Sequence, residues 1–182
     1  MQKPLWRRRA STLVADSPHM RLRVDELELP DGTIVPDYYV RESHGFVIAL
    51  PLTDDGHVVL VRQYRYGSDA IHLELPAGGL HEGEDPLACA RRELLEETGY
   101  EAAQWTFAGA YYAEPVRATA KAHMFLATGA RKICDPSPDP TEFIEVELAL
   151  VEEFRAMLAD GRIDAGHVLV TGYRVLDLLG KL

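Results

Sequence analysis

The 182-residue sequence has little of what several functions require. It holds only Cys89 and Cys134, far apart and in no CxxC pairing, so neither a cysteine zinc site nor a dithiol redox centre is supported. Both read as structural residues, and Cys89 falls inside a helical pattern. No apolar run is long enough to cross a bilayer. The basic start, MQKPLWRRRASTLV, is followed by no hydrophobic segment or cleavage site of the secretory kind, and the expected location is the cytoplasm. Positive charge is also scarce: 19 Lys and Arg stand against 29 Asp and Glu, a formal net charge of −10. A surface this acidic repels a phosphate backbone, which argues against a nucleic-acid partner. The seven histidines form no i, i+3 or i, i+4 pair on a helix, so no histidine zinc site is indicated. No sequence motif of a Ser/His/Asp or Cys/His nucleophile is present.

What remains is a chain with 47% apolar residues, enough for a sizeable core, and a strong order of patterns. The segment MRLRVDELELPDGTIVPDYYVRES alternates on both sides of Asp31-Gly32 and predicts two strands with a turn. GFVIALPL and HVVLVRQYR, separated by DDG, predict a second pair, with Phe46–Leu50 buried on both faces. IHLELPAG predicts a short strand ending at Pro76. Asp85 is a good N-cap and Pro86 suits a first helical turn, so a helix is expected over 85–98, with an apolar face of Leu87, Ala90, Leu94 and Leu95, stopped by Gly99. WTFAGAYYA, AHMFLATGA and FIEVELAL read as strands, CDPSPDPTE as a loop, and VEEFRAMLADG and GHVLVTGYRVLDLLG as helices. The strands and helices interleave without strict βαβ alternation, which predicts a mixed sheet between helices. An antiparallel strand region, residues 1–44, precedes a main domain, residues 45–182.

The helix over 85–98 carries Glu93, Glu96 and Glu97, which share one helical face. Glutamates are common on solvated faces, and an exposed acidic helix is the plain alternative. Three carboxylates crowded together repel unless a cation neutralises them, and oxygen ligands suit Mg²⁺ or Mn²⁺. The preceding glycine-rich loop, PAGGLHEGE, allows a ligand to approach backbone closely. Carboxylates, a divalent ion and such a loop together indicate phosphate chemistry.

Gly78, Glu84, Arg92, Glu93, Glu96, Glu97 and Gly99 fit the pattern G-x5-E-x7-R-E-U-x-E-E-x-G-U, where U is bulky and apolar. This resembles the Nudix box. Leu94 fills the first U, and Tyr100 stands where an aliphatic residue is usual. The resemblance implies an α/β/α sandwich around a mixed sheet, and metal-dependent hydrolysis of a nucleoside diphosphate linked to another moiety. It implies Glu93, Glu96 and Glu97 as metal ligands, joined by the carbonyl of Ala77. It makes Arg92 the residue that holds the glutamates, and Glu84 a support of the loop–helix junction or a plain capping group.

The segment VVLVRQYRYG…LELPAGG and the long N-terminal part are similar to the ADP-ribose pyrophosphatase branch, in which the N-terminal sheet is exchanged within a homodimer. The likeness implies substrate-binding roles for Arg62 or Arg65, for Glu74 and for Gly78. It also offers Glu142, in TEFIEV, as general base, with Asp139 in reserve. Many members of that branch carry a proline after the box, then a glycine and an acid. Here Pro115 is followed by Val116 and Ala120, so the substrate loop departs from the pattern. Arg117 and Lys121 make it basic, suited either to a sugar phosphate or to solvent. Tyr38, Tyr39 and Phe46 are candidates for stacking on a base, with core packing the stronger expectation. The leading expectation is a small-molecule nucleotide-sugar hydrolase acting on ADP-ribose or a related compound. The alternatives are another NDP-sugar such as GDP-mannose, or a non-catalytic ADP-ribose-sensing module.

Overall fold

Alternation along the strands decides where each layer sits. In the computed structural model, which describes residues 5–139 and 141–182, the first four residues and Pro140 of the proline-rich loop lie outside the description. The chain divides into two compact units: residues up to His44 with Tyr112–Lys121, and Gly45–Tyr111 with Ala122–Leu182.

In the first unit, β1 (Arg7–Ser17), β2 (Met20–Glu28) and β3 (Ile34–Glu42) form an antiparallel sheet in that order. The β2–β3 turn closes as expected at Asp31-Gly32. Gly32 sits at φ +86°, and the Asp31 carboxylate accepts the Thr33 amide at 2.9 Å. The strand β1 was not foreseen: Arg7–Ser17 is polar and exposed, and its partner in pairing is β2 rather than a core. Cross-strand charge supports this sheet. Asp25, almost fully buried, accepts from Ser11 at 2.6 Å and from Arg23 at 2.9 Å. Leu13, Val14 and Met20 remain exposed on it. The Pro115 segment belongs to the same unit. There Arg117 lies over the Tyr38 ring at 5.4 Å and Lys121 over Tyr112 at 4.9 Å.

The second unit is a mixed sheet. Its main path runs β10 (Ile144–Leu150), β5 (His57–Arg65), β4 (Phe46–Thr53), β9 (Lys121–Lys132) and β8 (Tyr100–Tyr112). The β4–β9 pairing is parallel, whereas β5 pairs antiparallel with both β4 and β10. The β4–β5 hairpin opens beyond Leu52 and Val58. The gap is filled by β6 (Ala70–Glu74) on β5 and by β7 (Ala77–Gly79) on β4. Ala77–Gly79, expected as loop, is therefore a short strand, because the splayed β4 offers it a free edge.

Successive residues point to opposite faces of a strand. Ile48, Leu50, Val58, Leu60, Met124 and Leu126 pack with Phe154 and Leu158 of α2 (Val151–Asp160) and with Val168, Val175 and Leu176 of α3 (Gly166–Leu178). Val47, Ala49 and Phe125 face Cys89 and Ala90 of α1 (Pro86–Thr98), while Val59 meets Leu94 and Tyr100. The expected α/β/α arrangement follows. Each fully buried Ile or Leu contributes about 1.5–3 kcal/mol. Leu95, expected on the apolar face of α1, is exposed, and the buried Glu97 and Thr98 stand on the inner side instead. Tyr100 is buried and fills the apolar position that closes the box.

Among the described residues, no helix is long and apolar enough to cross a membrane.

Candidate active site

The site is assembled by the second half of α1, by β7 and by the loop that follows β9. Asp85 caps α1 by accepting the Ala88 amide at 3.0 Å, and Pro86 occupies the first turn. Gly99 ends the helix at φ +73°. A side chain there would meet the carbonyl of Cys134 at 2.2 Å, so the glycine lets the chain after β9 fold against the helix end. The amide of Ile133 donates to Gly99 O at 2.9 Å and that of Ser137 to Glu96 O at 2.8 Å. These bonds tether to α1 the loop that carries Glu142.

The glutamates differ in environment. Glu97 is buried, and its carboxylate accepts the Ala77 amide at 3.0 Å. Burial pushes its carboxyl up to about 8, the Ala77 amide opposes this, and the charges of Glu93 and Glu142 add to it. Glu93 is also raised, chiefly by burial, against the pull of Arg92 and with the push of Glu96 and Glu142. Arg92 reaches Glu93 at 2.8 Å, Glu96 at 3.0 Å and Glu84 at 3.2 Å. Glu84 in turn accepts the His81 amide at 3.0 Å, so it pins the loop to the helix. Arg92 and Glu84 thus stand where the sequence pattern implies.

Gly78 provides the close approach. A methyl group on its Cα would sit 1.9 Å from the Glu93 carboxyl carbon. Only a bare backbone lets the Glu93 carboxylate lie on β7.

Beside these groups is a cavity of about 350 Å³. Arg65, Glu142, His167 and Phe46 line it around the backbone of Ala77–Gly79. Arg65 holds the buried Glu74 through two bonds, at 3.2 and 2.6 Å. Gln63 donates to Glu74 at 3.4 Å, and His167 Nε2 lies 3.6 Å from it. Burial alone would raise the Glu74 carboxyl. The His167 and Arg65 contacts outweigh it and hold the group down at about 2. Arg62 is elsewhere: it pairs with Glu147 on β10, at 3.0 Å for one bond, and does not line the cavity. Asp139 is exposed, and its carbonyl accepts the Glu142 amide at 2.8 Å.

Three residues carried no sequence signal for their positions. His167 opens α3 and Phe46 opens β4, yet both face the cavity, and Phe46, expected in the core, meets His167 edge to face at 6.2 Å. The third is His72. Although no nucleophile motif is readable, Ser68 Oγ lies 2.6 Å from His72 Nε2, and His72 Nδ1 lies 2.8 Å from Asp164. The amides of Ser68 and Asp69 are already bonded within their turn, so this chain offers no oxyanion site there. It ties the turn after Arg65 to the loop before α3.

The donor set suits a hard divalent cation: Glu93, Glu96, Glu97 and the Ala77 carbonyl are all oxygen ligands. Burial is the first cause of the raised Glu93 and Glu97 carboxyls, and a cation bound there would favour their ionised forms. Among the described residues, no three acidic or histidine side chains already close round one point. Instead one Arg92 guanidinium nitrogen contacts both Glu93 and Glu96. An open arrangement fits an ion that keeps waters and shares its shell with substrate phosphates. Replacing Gly78 with Ala is expected to displace the Glu93 carboxylate and lower hydrolytic turnover about a hundredfold. The melting temperature should change little, because Glu93 is a flexible side chain that can move away. Wild-type turnover in this variant would show that the close approach is not needed.

Comparison with known proteins agrees with this geometry. The NUDIX domain model matches residues 43–170, and the model of the nucleoside diphosphate sugar hydrolase N-terminal domain matches residues 6–40. A methanol dehydrogenase activator of Bacillus methanolicus is 34% identical over 160 residues, 87% of this chain and 86% of the relative. An ADP-ribose pyrophosphatase of Bacillus subtilis is 37% identical over 133 residues, 72% of this chain and 71% of the relative. A GDP-mannose pyrophosphatase of Yersinia pestis is 32% identical over 156 residues, covering 80% and 78%. The crystal structure of an ADP compounds hydrolase superposes with a TM-score of 0.84 over 100% of this chain and 98% of its own. At 22% identity, that likeness establishes the fold. Nudix hydrolases generally use divalent metal cations. With its box glutamates gathered on one helix face over a bare glycine strand, the chain belongs to the Nudix hydrolase family.

Proposed function

We propose that the protein hydrolyses the diphosphate of ADP-ribose, or of a related nucleoside diphosphate sugar, to a nucleoside monophosphate and a sugar phosphate, with Mg²⁺ or Mn²⁺. The observation that carries this reading is the convergence on one cavity of the bare Gly78 backbone, Arg65 and Glu142, with the Glu93 carboxylate of α1 lying against that glycine. The ADP-ribose pyrophosphatase relative supports the substrate class. When bound by Glu93, Glu96, Glu97 and the Ala77 carbonyl, the cation would neutralise charge developing on the diphosphate. Arg92 holds Glu93 and Glu96 in place through one guanidinium nitrogen. Arg65, steadied by Glu74, presents its guanidinium to a phosphate. Glu142 accepts the proton of the attacking water, and its half-buried carboxylate is close enough to Glu93 and Glu97 to raise both.

A second substrate reading rests on a specific observation. The segment after Pro115 carries Val116 and Ala120 in place of the glycine and acid, and a GDP-mannose pyrophosphatase matches most of the chain. The assembly proposed is a cytoplasmic homodimer that exchanges the N-terminal strands, residues 1–44. Its support is the exposed Leu13, Val14 and Met20 on a sheet with free edges.

A panel of ADP-ribose, GDP-mannose, UDP-glucose, NADH, diadenosine polyphosphates and dGTP, each with Mg²⁺ and with Mn²⁺, tests the function. AMP and ribose 5-phosphate from ADP-ribose, as the preferred substrate, is the expected result. Preference for GDP-mannose would move the specificity, and turnover of dGTP alone would overturn the reading. In the same assay Glu142→Gln should lower kcat by a factor of roughly 10²–10⁴ with unchanged folding. Full activity would remove Glu142 from the mechanism. Light scattering should give twice the chain mass, and a monomer at working concentration would defeat the dimer.

A further inference from the structure

Charge in the cavity is unevenly distributed. Glu142 lines it, and the Glu93 carboxylate lies against its Gly78 backbone, so negative charge gathers there. Arg65 lines it as well, but that guanidinium is engaged by the two oxygens of Glu74, so its charge is matched by a buried carboxylate. A diphosphate entering this space needs a further donor.

His167 meets the requirement. It lines the cavity and is half-buried, with its Nε2 at 3.6 Å from Glu74, beyond a full hydrogen bond. The edge of Phe46 fixes the ring plane, at 88° to its own. As an imidazolium the ring has two N–H donors, so one can face the carboxylate while the other serves a diphosphate oxygen. The residue is also held from behind. Asp164, three positions earlier, is anchored by His72, which is bonded in turn to Ser68 in the turn that follows Arg65. These bonds link the turn after Arg65 to the loop that leads into α3.

We propose that His167 is a substrate-binding residue that donates a hydrogen bond to an oxygen of the substrate's diphosphate. It recognises the group shared by all nucleoside diphosphate sugars and not the base or the terminal sugar. This inference rests on the nucleotide-sugar reading of the same cavity.

The test compares wild type, His167→Ala and His167→Gln on ADP-ribose and on GDP-mannose. The binding of non-hydrolysable α,β-methylene ADP-ribose is measured alongside by calorimetry. His167→Ala should raise KM about tenfold on both substrates by the same factor, with kcat changed far less, because a hydrogen bond to a charged group is lost. Analogue affinity should fall by a matching factor. His167→Gln should recover part of the loss, since its amide still donates. Unchanged KM and unchanged analogue affinity in His167→Ala would overturn the proposal. So would an increase confined to one sugar, which would make His167 a sugar contact. If the wild type turned over neither substrate and bound no analogue, the nucleotide-sugar reading itself would fail. If the wild type is active and only the variants fail to respond, that reading stands and His167 alone is dismissed.

Discussion

Like charges forced together govern this molecule. Glu93, Glu96 and Glu97 share one face of α1, and Glu142 is brought up to them by a loop tied to the end of the same helix. In water these groups would spread apart. Here packing prevents it: Cys89, Ala90 and Leu94 lock the helix to the sheet, and the Ala77 amide holds Glu97 beneath it. Burial first, and the neighbouring carboxylates after it, raise the carboxyls of Glu93 and Glu97. Under the function proposed above, a cation would relieve the crowding and share its shell with a diphosphate.

Other features serve that constraint. Gly78 is bare because Glu93 occupies the space of its side chain. The β4–β5 hairpin splays because β7 must come between to supply that glycine and the Ala77 backbone. Arg92 spans Glu84, Glu93 and Glu96, so its one positive charge offsets only part of the crowd. Glu74 is the opposite case within the same cavity. It is just as buried as Glu97, yet it stays ionised because Arg65 and His167 face it. Two buried glutamates a short distance apart are thus driven in opposite directions by their partners alone.

Much of this was legible in the chain. The i, i+3, i+4 spacing of the box glutamates put them on one face. Asp85-Pro86 and Gly99 marked the helix ends to within a residue, because capping is local chemistry. The unbroken apolar run Phe46–Leu50 announced a strand covered on both sides. What was not legible depends on distant partners. His167 and Phe46 lie far apart in sequence and become neighbours only when α3 packs beside β4. Ser68, His72 and Asp164 form no motif because their order along the chain has no bearing on their meeting. Arg62 and Arg65 were equivalent on paper. Their cross-strand partners, Glu147 and Glu74, separate them, and only Arg65 reaches the cavity. The strand β1 was hidden because its polar residues carry no burial pattern.

The account stands or falls on where the cation binds. The most direct measurement is a crystal structure with Mn²⁺ and non-hydrolysable α,β-methylene ADP-ribose, with the metal located by its anomalous signal. The account predicts a peak among the carboxylates of Glu93, Glu96 and Glu97 and the carbonyl of Ala77, with an oxygen of the diphosphate in the same coordination shell. A peak at any other group, or a bound analogue with no metal among these glutamates, would contradict it.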